Sequence, residues 1–149
     1  MGDENIFIFD VYNEYIYPGD SYAKRAIGEE GLVKYRDSDE DYLNLVRRGI
    51  ESSLGKFLPD FIIYNAGTDC MQGDPLGSKK LRKIDLNISS QGIIQRDEIV
   101  FSAAINNRIP ILMVLSGGYQ HTNAPTIASS IDNLISKFSL LNMRHVSRL

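Results

Sequence analysis

Two residues carry side chains and neighbours that permit chemistry. Asp69 lies a few residues after the apolar run Phe61-Ile62-Ile63-Tyr64, in a polar, turn-rich stretch that extends to Gly77. Tyr119 follows Ser116-Gly117-Gly118, directly after a second apolar run, Ile111–Leu115. A carboxylate is a hard oxygen donor suited to zinc. A phenol raised on a Gly-Gly turn can donate a hydrogen bond to a developing oxyanion, if it is preorganised towards that charge. Both positions also have plainer uses. Asp in such a loop serves as a turn former or helix cap, and Ser-Gly-Gly-Tyr can be a tight strand-to-helix turn with a packed ring. Ser-Gly-Gly at a helix N-terminus also suits an anion, a reading that requires phosphate or nucleotide affinity.

The elements that must position these residues follow from the patterning. Each apolar run is short, rich in β-branched or aromatic residues and bounded by turn formers, as expected of strands buried on both faces of a parallel sheet. Ligands of open α/β sheets bind beyond the carboxyl ends of strands, where Asp69 and Tyr119 both fall. Ile6–Phe9 reads as an earlier strand, followed by an aromatic loop, Tyr12–Asp20, with a Pro18-Gly19 turn. Ala23–Arg36 is glycine-punctuated and is expected to be a loop with a short helical piece. Ser38 to Asp41 then opens a helix with acidic residues in its first turn. Leu43, Val46, Ile50, Leu54 and Phe57 share one of its faces, Arg47-Arg48 form a solvated face, and Pro59 ends it. Ser89 or Ser90 caps a second helix, Gln91 to about Asn106, with Ile94, Phe101 and Ile105 inward and Arg96-Asp97-Glu98 outward. Asn123 and Pro125 start a last helix whose face is Ile127, Ile131, Leu134 and Phe138. The tail from residue 138 is expected to be disordered. Successive strand–helix units imply one parallel sheet with helices on its faces, in one α/β domain spanning residues 1–149.

Composition narrows the function classes. The chain has 149 residues, 43% hydrophobic and 23% charged, with a net charge of −3. That balance gives no basic footprint for direct nucleic-acid binding, and no run of apolar residues is long enough for a membrane span. The run Lys79-Lys80-Leu81-Arg82-Lys83 within Ser78–Asp85 is the one basic cluster, and we read it as a solvated loop. The start lacks the basic and apolar regions of a secretory signal. A single cysteine, Cys70, excludes an internal disulfide and a cysteine-rich zinc site, and points to a reducing intracellular compartment.

Three motifs in order, Tyr12–Asp20, Ala66-Gly67-Thr68-Asp69-Cys70-Met71-Gln72-Gly73-Asp74-Pro75-Leu76-Gly77 and Ser116-Gly117-Gly118-Tyr119, resemble those of the zinc-dependent histone deacetylases, most nearly the class IV, histone deacetylase 11-like branch. The resemblance runs from about Ile6 to about Phe138. It implies a three-layer parallel sheet with flanking helices of the arginase/deacetylase type, of which this chain is the C-terminal half only. It implies a hydrolase of N6-acyl-lysine amides acting on histone or other proteins within chromatin-regulating deacetylase complexes, in the nucleus and/or the cytoplasm. Asp69 matches the family's C-terminal zinc-binding aspartate and Tyr119 its transition-state tyrosine. The resemblance implies substrate-binding roles for Tyr17, on a tunnel aromatic, for Leu76, on a tunnel-wall position, and for Gly117 and Gly118, on which the Tyr119 ring is raised. Relative to the family, Ser78–Asp85 looks like an insertion.

The family takes its other two zinc ligands from an upstream Asp-x-His segment and its general base from a His-His pair. The histidines of this chain, His121 and His145, both follow the Ser-Gly-Gly-Tyr motif and stand in neither context. A catalytic zinc needs three protein ligands and an open position, so Zn2+ would have only Asp69 here. The expectation is a truncated product, isoform or partial reading of the gene of a deacetylase, inactive as it stands. The competing one is a catalytically dead binding fragment that competes for partners of the longer enzyme.

Overall fold

The computed structural model describes residues 3–13, 15, 21–76 and 86–142. Its strands are β1 (Phe9–Tyr12), β2 (Glu29–Leu32), β3 (Ile62–Asn65) and β4 (Ile111–Val114), and its helices are α1 (Asp39–Lys56), α2 (Ser90–Asn106) and α3 (Ala124–Phe138). All strand pairing is parallel, in an α/β arrangement with helices packed on the strands.

The helix boundaries follow local chemistry. Ser38 and Asp41 form a reciprocal capping box at α1, each side chain bonding the other's backbone N–H. Ser89 caps α2 by accepting the Gly92 N–H, and its own N–H donates to Oδ1 of Asp39 at 2.8 Å. The first turn of α1 therefore also holds the start of α2. Pro125 stands in the first turn of α3, where its missing N–H leaves no intrahelical bond unmade. Ser139 ends α3 in the left-handed conformation.

Several sequence expectations need correction. The four described strands form two separate parallel pairs, β1–β2 and β3–β4, where one sheet was expected. The first strand lies three residues later than Ile6–Phe9, because its partner begins only after the short 3-10 turn Ala23–Ala26. The N–H groups of Gly28 and Glu29 both reach Ile8 O, and the register then runs from Phe9 opposite Glu29 to Tyr12 opposite Leu32. That partner, Glu-Glu-Gly-Leu, lacks the apolar run of a buried strand, so patterning assigned it to a loop. Its glycine does the packing: a β-carbon on Gly31 would stand 3.2 Å from Val11 and 3.4 Å from Leu45 on α1. Finally, the inward face of α3 is Thr126, Ser130 and Leu134, while Ile131 is exposed.

The core sits between α1 and α2, where Tyr42, Leu43 and Val46 meet Ile88 and Ile93, with Val33, Met71 and Leu86 around them. On α1 the expected apolar face is inward. On α2, Ile93, Phe101 and Ala104 are buried, and Arg96 and Asp97 are buried with them. The outward assignment of Arg96-Asp97 was therefore wrong. The tail beyond Asn142 and most of the Tyr12–Asp20 loop and the Ser78–Asp85 segment lie outside the described residues.

Candidate functional site

Strands β3 and β4 run side by side in register, Ile62 against Ile111 through Asn65 against Val114. Two loops therefore leave the same sheet edge in parallel. The ladder continues past the strands: Ala66 N–H donates to Val114 O at 2.9 Å and Thr68 N–H to Gly117 O at 2.6 Å. These bonds bring Asp69 beside Gly117, 48 positions apart in sequence but adjacent in space. A β-carbon on Gly117 would stand 2.2 Å from Asp69 Oδ2, so only glycine leaves room for the carboxylate. Gly118 has φ +143 and its missing β-carbon would meet Thr68 Oγ1 at 2.2 Å. Asn123 closes the same corner by donating to Thr68 Oγ1 at 3.0 Å in place of capping α3.

Asp74 ties the remaining positions together. Its side chain is fully buried, and it accepts Leu76 N–H at 2.8 Å and Tyr119 N–H at 2.7 Å. The Gly-Asp-Pro-Leu turn and the tyrosine loop thus share one carboxylate. Above that anchor the Tyr119 ring is exposed and Leu76 half-buried. Sequence reading took Asp74 for a turn residue only; its long-range role leaves no local pattern. Tyr17 lies outside the described residues. His121 stands exposed in the loop beyond Tyr119.

Burial raises the pKa of the Asp69 carboxyl from its ordinary value. Its own backbone N–H pulls it down, the Asp74 charge pushes it up and the Arg96 guanidinium opposes that push. A half-buried carboxylate of this kind gains from a cation. Among the described residues no three of His, Cys, Asp and Glu gather as a metal site requires. Asp69 is one donor, and the described residues do not by themselves fit a zinc centre.

Behind the two loops lies a buried polar cluster. Asp97 accepts hydrogen bonds from Tyr64 Oη and from Ser130 Oγ, and pairs with Arg96 at 2.8 Å. Burial raises the Tyr64 phenol well above its ordinary pKa, so it stays a donor. The sequence signal for this cluster is Ser130, a small polar residue four positions after Thr126 on the face of α3 that packs inward.

With that geometry in place, comparison with known proteins decides the family. Residues 1–135 match the Histone deacetylase domain. The chain belongs to the histone deacetylase domain family. Histone deacetylase 2 of Arabidopsis thaliana is 41% identical over 145 residues, which cover 97% of this chain and 35% of that protein. An uncharacterized protein of Picosynechococcus sp. is 29% identical over 140 residues, 94% of this chain and 41% of that protein. The chain thus spans well under half the length of these relatives. Within the deacetylase domain, the matched region includes both loops and the Asp74 anchor between them.

Proposed function

We propose that this chain is the C-terminal part of the catalytic domain of a zinc-dependent protein-lysine deacylase of the class IV type, with the three-layer arginase/deacetylase architecture. The observation that carries the reading is the seating of Asp69 against Gly117, two residues before Tyr119, at one edge of a parallel strand pair.

In this reading each residue has a separate task. Asp69 supplies one carboxylate towards zinc, and the remaining ligands and the general base come from outside this stretch. A zinc held by Asp69 together with ligands from outside this stretch would supply Lewis-acid polarisation of the scissile amide and its attacking water. Tyr119, with its backbone N–H fixed by Asp74, directs its hydroxyl at the oxyanion that forms when the amide carbon becomes tetrahedral. Leu76, held by the other oxygen of Asp74, and Tyr17 wall the passage for the acyl-lysine chain. The substrate is an N6-acyl-lysine of a histone or another protein, reached in the nucleus or cytoplasm in company with other deacetylase subunits. Taken alone, the 149-residue chain is inactive in this reading, because the described residues offer zinc only the Asp69 carboxylate.

The deciding experiment compares the purified chain with the full-length product of its transcript. Zinc content after dialysis and hydrolysis of short- and long-acyl lysine peptides are measured on both. The longer product should retain zinc and hydrolyse the amide, and the chain should do neither. In the longer product Tyr119→Phe should lower kcat roughly 10²- to 10³-fold, the usual cost of one oxyanion donor. Full activity in that variant or in Asp69→Ala would remove the site assignment.

A further inference from the structure

We propose that Arg96 is the positioning residue of the Asp69 loop, holding the two carbonyls that precede Thr68-Asp69 and so fixing where the Asp69 carboxylate points. Its Nη1 donates to Gly67 O at 2.6 Å and its Nη2 to Ala66 O at 3.2 Å. Nη1 also faces Cys70 Sγ at 3.8 Å, on the other side of Asp69. One guanidinium therefore touches the chain on both sides of the residue it places. These carbonyls lie beyond the end of β3, where no strand partner accounts for them, and buried carbonyls left unmatched are costly.

Arg96 is itself fixed. It is only 5% exposed, and its Nε donates to Asp97 Oδ1 at 2.9 Å. Asp97, 1% exposed, is held from β3 by Tyr64 and from α3 by Ser130. The path from Ser130 through Asp97 and Arg96 to Gly67 thus joins α3, α2 and β3 to the loop. From the opposite side Gly117 O receives Thr68 N–H. The loop is gripped between a side chain and a backbone, and the half-buried Asp69 carboxylate is seated against Gly117 at that grip. A buried pair of this kind adds little net stability, and its geometric fixing is the better reason for its presence. Lysine would not replace it, because a single ammonium lacks the planar fork that reaches Ala66, Gly67 and Asp97 together.

The test has two independent arms, of which only the second rests on the deacylase reading. In the first, amide hydrogen exchange is followed on the purified chain for wild type, Arg96→Lys and Asp97→Asn. The Thr68 N–H should exchange roughly tenfold faster in both variants, the effect of losing about one hydrogen bond locally. The Ala104 amide in α2 should keep its protection. Unchanged exchange at Thr68 in variants that fold would overturn the proposal. In the second arm, Arg96→Lys in the full-length product should lower kcat, by roughly 10²-fold for a displaced active-site group, with KM near wild type. Phe101→Leu, a core change beneath Phe138, should lower Tm and leave kcat alone. Equal kcat in wild type and Arg96→Lys, where Asp69→Ala is inactive, would also overturn the positioning role. If Asp69→Ala is itself fully active, the deacylase assignment falls and the exchange arm alone decides the grip.

Discussion

At the scale of single residues the site is defined by what two glycines lack. The hydrogen at Gly117 is all that fits before the Asp69 carboxylate, so Gly117→Ala should push that carboxylate aside. We expect the variant to lose deacylase activity in the full-length product as completely as Asp69→Ala, while circular dichroism still reports folded helices. Gly118 adds a conformational demand. Its φ of +143 is closed to residues with a β-carbon, at a cost of about 1–3 kcal/mol. Gly118→Ala should therefore lower the unfolding midpoint in urea as well. Wild-type midpoints in the Gly118 variant would show that the turn relaxes without strain. That Asp69, Tyr119 and the glycines stand in loops at the carboxyl ends of β3 and β4 was legible in the sequence, because they follow directly on apolar runs. Asp74 and Arg96 were not. Each acts on a partner 29 or more positions away, Gly67 for Arg96 and Tyr119 for Asp74, and no spacing rule spans such a distance.

At the scale of elements the helices are the most readable parts, since capping chemistry is local. The α1 capping box also sets a pH dependence. The Ser38 hydroxyl and backbone N–H lower the Asp41 pKa below its ordinary value. A carboxyl depressed in the folded state stabilises above its unfolded pKa and loses that contribution as pH falls through the folded one. The start of α1 should thus loosen below about pH 4, near the ordinary carboxyl pKa. Thermal unfolding followed from pH 6 to acid should show a steeper fall in wild type than in Asp41→Asn, and parallel curves would refute the assignment. Strands were less readable than helices. β2 carries two glutamates, and one of them, Glu29, accepts from Ser52 and Lys56 on α1. A polar strand built to meet a polar helix face has no period-two apolar pattern to find. The charged triplet Arg96-Asp97-Glu98 misled for the complementary reason. Only Glu98 reaches the outer rim, where it pairs with Lys137, while its two neighbours turn in to one another and need no water.

At the scale of the whole molecule the described residues cover the β3–β4 pair on one side only. Tyr64 and Met113 are partly buried, whereas their neighbours Ile63, Leu112 and Val114 are exposed on the opposite face, with Phe61 and Leu115 at its ends. Ile63 and Leu112 stand directly opposite one another in the register. A contiguous apolar strip of this kind drives self-association in water. The isolated chain should sediment with a concentration-dependent mass, and the double variant Ile63→Thr, Leu112→Thr should suppress this while shifting stability by no more than about 0.5 kcal/mol. A monomer at every concentration would show that the strip is shielded.

The all-parallel pairing has one more consequence, and it concerns time. No two partner strands here are joined by a hairpin: β1 waits for residues 13–28 to pass before β2 arrives, and β3 for the whole of α2 before β4. Each pairing must close a long loop before any ladder bond repays the lost chain entropy. The two loops that make up the site emerge from the longer of these closures. Asp69 and Gly117 can meet only once the connection that contains α2 has closed, so we expect the site to be absent from any state in which α1 and the β1–β2 pair alone are formed, and hydrogen exchange at the Thr68 amide during refolding would test this.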